Sequence, residues 1–592
     1  MAKSEEKNNL DLVQKSNELR RQIISTVAKN GGHLASSLGA VEIAVALNEV
    51  FDPISDRIVW DVGHQAYAWK LLTGRAEVFD TLRKHNGIAP FPTPNESAAD
   101  AAVAGHAGAA LSVSFGMACA RDRLDGAESV VAVVGDGALA NGMSFEALNS
   151  YLSLSTRSIV ILNDNEMSIS KSIGASSRFL GRLISGVKYN RVKAAAENVG
   201  HAMRLTFLRN IYHRIESRIK SLFLGNRYFE EFGLRYIGPV DGHDINALVS
   251  AFTVAKEDKR GVIVHVVTKK GYGFAPAETN PTKWHGVDAF NLSEDFSTGS
   301  LISRTDGQTW STVFGRIICD KADVDSRIVA LTAGMTDGTG LAKFSKAYPS
   351  RFFDVGIAEG HMIAMAAGLA SRGMRPVVSI YSTFLQRAID QVMHDVAISS
   401  LPVIITVDRA GVVGADGKTH QGLYDYAMLK CLPNLVICQP RDAADLELLI
   451  DEALKRNGPT LIRYPRGLCP ANFPLKEITQ SKVAIWATAD WYDKACQVSS
   501  RVGGTSVCAR YLKPFDFELL AKQRADGALI VSIENGCVLG GFGETIGADL
   551  KFGWPDVFIE HGSIPELEKK YKLDVDSIVA AVEAHLKLKE TS

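Results

Sequence analysis

The feature that most constrains this chain is a recurrence: short apolar, β-branched runs that end again and again in Gly, Asp or Asn and lead into helical patterning. Residues 129–136 (SVVAVVGD), 158–163 (SIVILN), 261–268 (GVIVHVVT), 375–381 (RPVVSIY), 402–408 (PVIITVD) and 528–534 (ALIVSIE) are the clearest. A strand with no polar face must be covered on both sides, which parallel sheets flanked by helices achieve. The pattern predicts an α/β fold of doubly wound, mostly parallel sheets.

At 592 residues the chain exceeds one core, since domains average roughly 150 residues. Between His285 and Trp310 periodicity is lost and Ser, Thr, Asp and Gly accumulate, which reads as a linker; a second Pro-containing stretch covers 465–481. Three domains are expected, 1–290, 305–468 and 480–592. Lys+Arg 65 against Asp+Glu 66 leaves a net charge of -1, so no basic field favours nucleic acid or an anionic membrane. Any anionic ligand must be caught locally. No window approaches the ~18 apolar residues of a membrane helix, and residues 1–30 are charged and amphipathic, so the chain reads as cytoplasmic. The eight cysteines include no C-x-x-C pair, which argues against a zinc site or a disulfide framework.

In open parallel sheets ligands bind outside the carboxyl ends of the strands. Two glycine-rich stretches there are decoys. Asp416-Gly417-Lys418-Thr419 ends like a phosphate loop but has Val412 where that motif needs Gly, and the run 540–547 has Ile546 in place of the last glycine of G-x-G-x-x-G. The sharper signal is Gly135-Asp136-Gly137, at the end of one apolar run, with Asn163-Asp164-Asn165 ending the next. Glycines let the backbone approach a diphosphate, and Asp136 and Asn165 supply hard oxygens to one Mg²⁺. Such an ion takes few protein ligands and completes its shell from phosphate.

This pattern resembles the diphosphate anchor of transketolase-type thiamine-diphosphate enzymes. The segment 354–361 (DVGIAEGH) is similar to the one whose glutamate contacts the aminopyrimidine ring in that superfamily, which implies that Glu359 stabilises the imino tautomer. Further stretches narrow the likeness: 33–39 (HLASSLG), 60–67 (WDVGHQAY), 381–387 (YSTFLQR), 408–411 (DRAG), 414–420 (GADGKTH) and 463–467 (RYPRG) resemble the 1-deoxy-D-xylulose-5-phosphate synthase family in order and spacing. That family condenses pyruvate, after loss of CO₂, with D-glyceraldehyde 3-phosphate.

The resemblance implies thiamine diphosphate and Mg²⁺ as cofactors and a homodimer, and distributes roles. Asp136, Asn165 and the Met167 carbonyl would hold the metal. His64, Gly105, His106, Ala107, Gly137, Ala138, Phe274 and Phe384 would line the cofactor with Glu359, Phe384 stacking on the pyrimidine. Arg409 and Arg466 would grip the acceptor's phosphate with guanidinium forks, with Tyr381, Arg387, Asp416 and His420 nearby. His33, His64 and His285 would transfer protons. The basic, helix-prone stretch 172–227 would be either a cover over the site or a solvated excursion.

Three departures fall near the cofactor. After Gly105-His106 the family usually has Ser-Ser-Thr-Ser, whereas this chain has Ala107-Gly108-Ala109-Ala110. Backbone N–H groups and Mg²⁺ are left to hold the anion. Gly360 replaces a Gln after Glu359, and Phe274 replaces a Tyr. The third segment is also short, with Trp486, Trp491 and Tyr492 where the family usually has small residues. Two other readings therefore stay open: a related carboligase or transketolase with another donor or sugar phosphate, and a cofactor-binding paralogue that does not turn over.

Overall fold

The computed structural model describes residues 2–154, 156–165, 225–302 and 307–591. They form two compact units, 1–82 with 88–302, and 83–87 with 303–592.

The first unit holds a five-stranded, wholly parallel sheet, with strands in the spatial order Arg57–Trp60, Val130–Gly135, Ile159–Asp164, Val262–Val267 and Arg235–Asp241. Three of the apolar runs are its central strands. Their side chains are buried on both faces, each fully enclosed Val, Ile or Leu contributing about 1.5–3 kcal/mol. The helix Ile245–Glu257 shows how the layers attach. Asp244 caps it by accepting the Ala247 N–H at 3.1 Å, and Leu248, Ala251, Phe252 and Ala255 form its buried face. Gly135 pairs with Asn163 across neighbouring strands. Asp136 and Asn165 thus follow the carboxyl ends of adjacent parallel strands.

The stretch expected as a linker corrects that reading. Gly286–Val287 pairs antiparallel with Gly32–His33, and Phe290–Leu292 forms a hairpin with Gly299–Leu301, all inside the first unit. Short strands with polar outward positions carry too few residues for their period to register against the surrounding Ser, Asp and Gly.

The second unit contains two sheets. One has seven strands in the order Phe352–Asp354, Ile328–Thr332, Arg375–Tyr381, Ile404–Asp408, Thr460–Arg463, Val436–Cys438 and Tyr511–Lys513, only the last pairing antiparallel. The other is a parallel sheet of Thr505–Ala509, Val483–Thr488, Leu529–Cys537 and Leu550–Trp554. The strand Tyr511–Lys513 leaves its sequence neighbours and closes the edge of the larger sheet, which ties the two sheets into one unit. Among the described residues no helix is long and apolar enough to cross a membrane.

Candidate active site

In the first unit, three histidines expected to act together do meet. The ring centroids of His33 and His64 are 6.2 Å apart, those of His33 and His285 5.8 Å, and those of His64 and His285 5.4 Å, with Phe91 at 5.3 Å from His33. His285 Nδ1 lies 3.0 Å from the Ser36 hydroxyl, and the Tyr67 hydroxyl accepts the His33 backbone N–H at 3.2 Å. Desolvation, reinforced by the neighbouring cationic groups, holds His64 and His285 well below the usual imidazole range. Both are neutral at pH 7, able to give or take a hydrogen bond.

Sequence reasoning missed a buried cation whose charge acts on His64 and His285. Lys270 is buried, and burial lowers its ammonium to about 8, while the Asp136 carboxylate pulls the other way. Its charge is felt by His64, His285 and Asp136. A lysine in a Gly-rich loop (KKGYGF) after an apolar strand was the available signal. Asp136 itself is buried at the start of the short helix Asp136–Leu139, which also contains Gly137 and Ala138. Asn165 stands one residue beyond its strand. Met167, and the proposed cover from 172 to 224, lie outside the described residues.

Gly105, His106 and Ala107 precede the helix Ala110–Arg123. Two backbone amides of this loop are engaged within the protein: Asp61 accepts the Gly108 N–H at 2.9 Å and the Ala110 N–H at 3.2 Å. With no hydroxyls in this loop, a carboxylate of the chain itself serves the helix N-terminus. Phe274, expected at the cofactor, is 1% exposed, its ring 5.4 Å from Trp284 and 6.4 Å from Phe290. Without a phenol oxygen to satisfy, the ring completes an aromatic core instead of presenting a polar tip.

In the second unit, Glu359 opens the helix Glu359–Ser371 and is 5% exposed. Burial raises its carboxyl above the usual range, against the pull of Arg387, whose guanidinium lies 3.8 Å away. Gln391 lies close beside Gly360: a Cβ built there would fall 3.0 Å from Gln391 Oε1. Tyr381 ends its strand and stacks on Phe384 at 5.7 Å; Phe384 meets His420 edge-on at 5.8 Å, and the Arg409 guanidinium covers the Tyr381 ring at 3.8 Å. Arg409 adopts φ +60, a left-handed conformation that a non-glycine residue holds only where its surroundings require it. The Tyr381 hydroxyl needs Gly338, where any Cβ would fall 2.1 Å from it. Asp416 receives two arginines, Arg83 at 2.6 Å and Arg466 at 3.5 Å. Arg83, which no local pattern announces, arrives on the short excursion 83–87 that belongs to this unit.

Neither decoy folds as a phosphate loop. Residues Gly417–Thr419 form a single 3-10 turn, and the amides of Phe542 and Gly543, in the Gly-rich run, donate to Glu534 at 2.7 and 2.8 Å.

Asp408 adds a measurable property. Burial outweighs the neighbouring Arg409 and raises its carboxyl from 3.8 to about 6, with Ser311 donating to it at 2.6 Å. A raised acid stabilises the fold fully below its unfolded value, and that contribution is lost as pH rises through the folded one. Asp408→Asn, which keeps an acceptor for Ser311, should therefore gain on the wild type between about pH 4 and 6. Urea midpoints across that window test this; a difference that stays constant with pH overturns it.

Residues 3–268 match the family model described as 1-deoxy-D-xylulose-5-phosphate synthase, and residues 306–472 match that of the transketolase pyrimidine binding domain. The chain is 43% identical over 598 residues to a 1-deoxy-D-xylulose-5-phosphate synthase of Desulforudis audaxviator, covering 96% of this chain and 93% of that one. It is 44% identical to the protein of that name from Syntrophotalea carbinolica (95% and 93% covered) and 42% identical to that of Clostridium acetobutylicum (96% of each). The chain belongs to the 1-deoxy-D-xylulose-5-phosphate synthase family of transketolase-type transferases.

Proposed function

We propose that the protein condenses pyruvate, with loss of CO₂, and D-glyceraldehyde 3-phosphate to 1-deoxy-D-xylulose 5-phosphate, using thiamine diphosphate and Mg²⁺. The observation that carries this reading is the buried carboxyl of Glu359 at a helix start, 3.8 Å from the Arg387 guanidinium, in the segment matched to a pyrimidine-binding domain. The residues present fit the cofactor: hard oxygens follow adjacent strand ends at Asp136 and Asn165, the positive charge of Lys270 reaches Asp136, and burial raises the Glu359 carboxyl above its usual range.

When bound, thiamine diphosphate supplies the electron sink for decarboxylation and carbon–carbon bond formation. The protein's part is binding and proton placement. Asp136 and Asn165 would hold Mg²⁺ and with it the diphosphate, and the Met167 carbonyl, outside the described residues, would be the third protein ligand. Glu359 would hold a proton at the aminopyrimidine. Neutral His64 and His285, with His33, donate to and accept from the substrate oxygens, a task suited to imidazoles that carry no charge at pH 7. Arg409, fixed over Tyr381, and Arg466, oriented by Asp416, take the phosphate of the acceptor. In this reading the segment 480–592 is a third domain, the enzyme is a cytoplasmic homodimer, and its product enters isoprenoid synthesis.

CO₂ release from pyruvate, measured with and without glyceraldehyde 3-phosphate, tests the reading. Release stimulated by the acceptor is expected. No release at saturating cofactor would overturn it, and faster turnover of a ketose-phosphate donor would replace it with a transketolase. Arg466→Ala should raise the KM for glyceraldehyde 3-phosphate by about tenfold or more with kcat little changed, since the phosphate is held before and during reaction alike. A fall in kcat with KM unaltered would remove Arg466 from that role.

A further inference from the structure

The loop Lys269–Phe274, which carries the buried Lys270, is held by partners outside the expected site residues. Its backbone is clamped from several sides. The Gly271 N–H donates to Ala35 O at 2.8 Å, the Tyr272 carbonyl accepts Arg20 Nε at 2.9 Å, and the Gly273 N–H donates to Glu278 Oε1 at 2.7 Å. The remaining anchor is His243. Its Nε2 lies 2.8 Å from the Lys269 backbone N, its Nδ1 lies 3.2 Å from Glu42 Oε2, and its ring stacks on Tyr272 at 3.6 Å.

The proton on this imidazole follows from the partners. A backbone N–H only donates, so Nε2 must be bare, and the ring proton sits on Nδ1, donated to Glu42. Glu42 is buried and is also bonded by Arg20 at 2.6 Å. Burial pushes its carboxyl up, but the His243 and Arg20 hydrogen bonds prevail and hold it below the usual range. His243 is fixed in turn by its own backbone, whose N–H donates to Asp241 at 2.9 Å, and by Gly242, whose N–H reaches Val267 O at 2.8 Å. A neutral, single-tautomer histidine thus ties the turn after the strand Arg235–Asp241 to the first amide of the lysine-bearing loop.

We propose that His243 is a positioning residue: by accepting the Lys269 N–H while anchored on Glu42, it sets the place of the buried Lys270 that follows. The assignment of Lys270 to the reaction rests on the function proposed above; the clamp itself does not.

Two variants separate hydrogen bonding from packing. His243→Phe keeps a ring on Tyr272 but has no acceptor for Lys269, whereas His243→Gln restores one. Hydrogen exchange at the Lys269 amide, read by overlapping peptides on the full chain without cofactor or substrate, is expected to quicken by about tenfold or more in His243→Phe and to return toward wild type in His243→Gln. Turnover of pyruvate with glyceraldehyde 3-phosphate should fall by about tenfold in His243→Phe, with the KM for the acceptor unchanged, and recover in His243→Gln. Unchanged exchange in His243→Phe overturns the clamp. Quickened exchange with unchanged turnover overturns the positioning role. Should the wild type itself release no CO₂, the function proposed above fails, and exchange alone then decides whether His243 holds the loop.

Discussion

Glu359→Gln is expected to lower turnover of pyruvate by about a thousandfold, the scale on which a positioned acid–base group contributes. The substitution keeps shape and burial, so it isolates the proton. Glu359 is 5% exposed, and burial has already raised its carboxyl, with Arg387 at 3.8 Å too far to compensate fully. A raised acid weakens the fold once it ionises, so the neutral amide should leave stability at pH 7 the same or slightly higher. The paired measurement is kcat together with the urea midpoint. Turnover within about tenfold of wild type would remove Glu359 from the chemistry, and a large loss of stability would show that the fold depended on its charge.

The second large effect is structural. Arg463, 1% exposed, forms a bidentate pair with Asp425, also 1% exposed, through Nε at 2.8 Å and Nη2 at 3.1 Å, and its Nη1 donates to Gln439 at 3.0 Å. Nη2 also reaches the Asn535 carbonyl at 3.4 Å, so one guanidinium joins both sheets of the second unit. Asp425→Ala removes the directly paired carboxylate from a buried cation, leaving only the charges of Asp490 and Glu534 nearby, and is expected to cost about 3–5 kcal/mol. Replacing both partners by apolar residues of similar volume should recover most of that loss, because the penalty lies in the uncompensated charge. Urea unfolding of the single and double variants tests it; a loss under about 1 kcal/mol for Asp425→Ala would mean that water reaches Arg463.

Much of the architecture was legible because a buried parallel strand declares itself locally. The runs 129–136, 158–163 and 261–268 became the central strands of the first sheet, since near-continuous apolar runs have nowhere to go but between two layers. The polar residues at their ends were legible for the same reason. Glu359 and the ring and arginine motifs were found by likeness to a family, and the structure brings Tyr381, Phe384, His420 and Arg409 into contact.

What the sequence by itself determined is therefore the α/β class, the strands that build it and the polar residues set at their carboxyl ends. Those follow from periodicity and composition over a few residues. Only the tertiary structure decided that Arg83 joins Arg466 on Asp416, that Asp61 takes the amides at 108 and 110, that Phe274 turns into an aromatic core and that His243 holds the amide before Lys270. Each of these pairs polar or aromatic groups distant in the chain. Local spacing encodes which face of an element is buried, whereas the partner of a hydrogen bond is chosen by whatever the folded chain brings within about 3 Å.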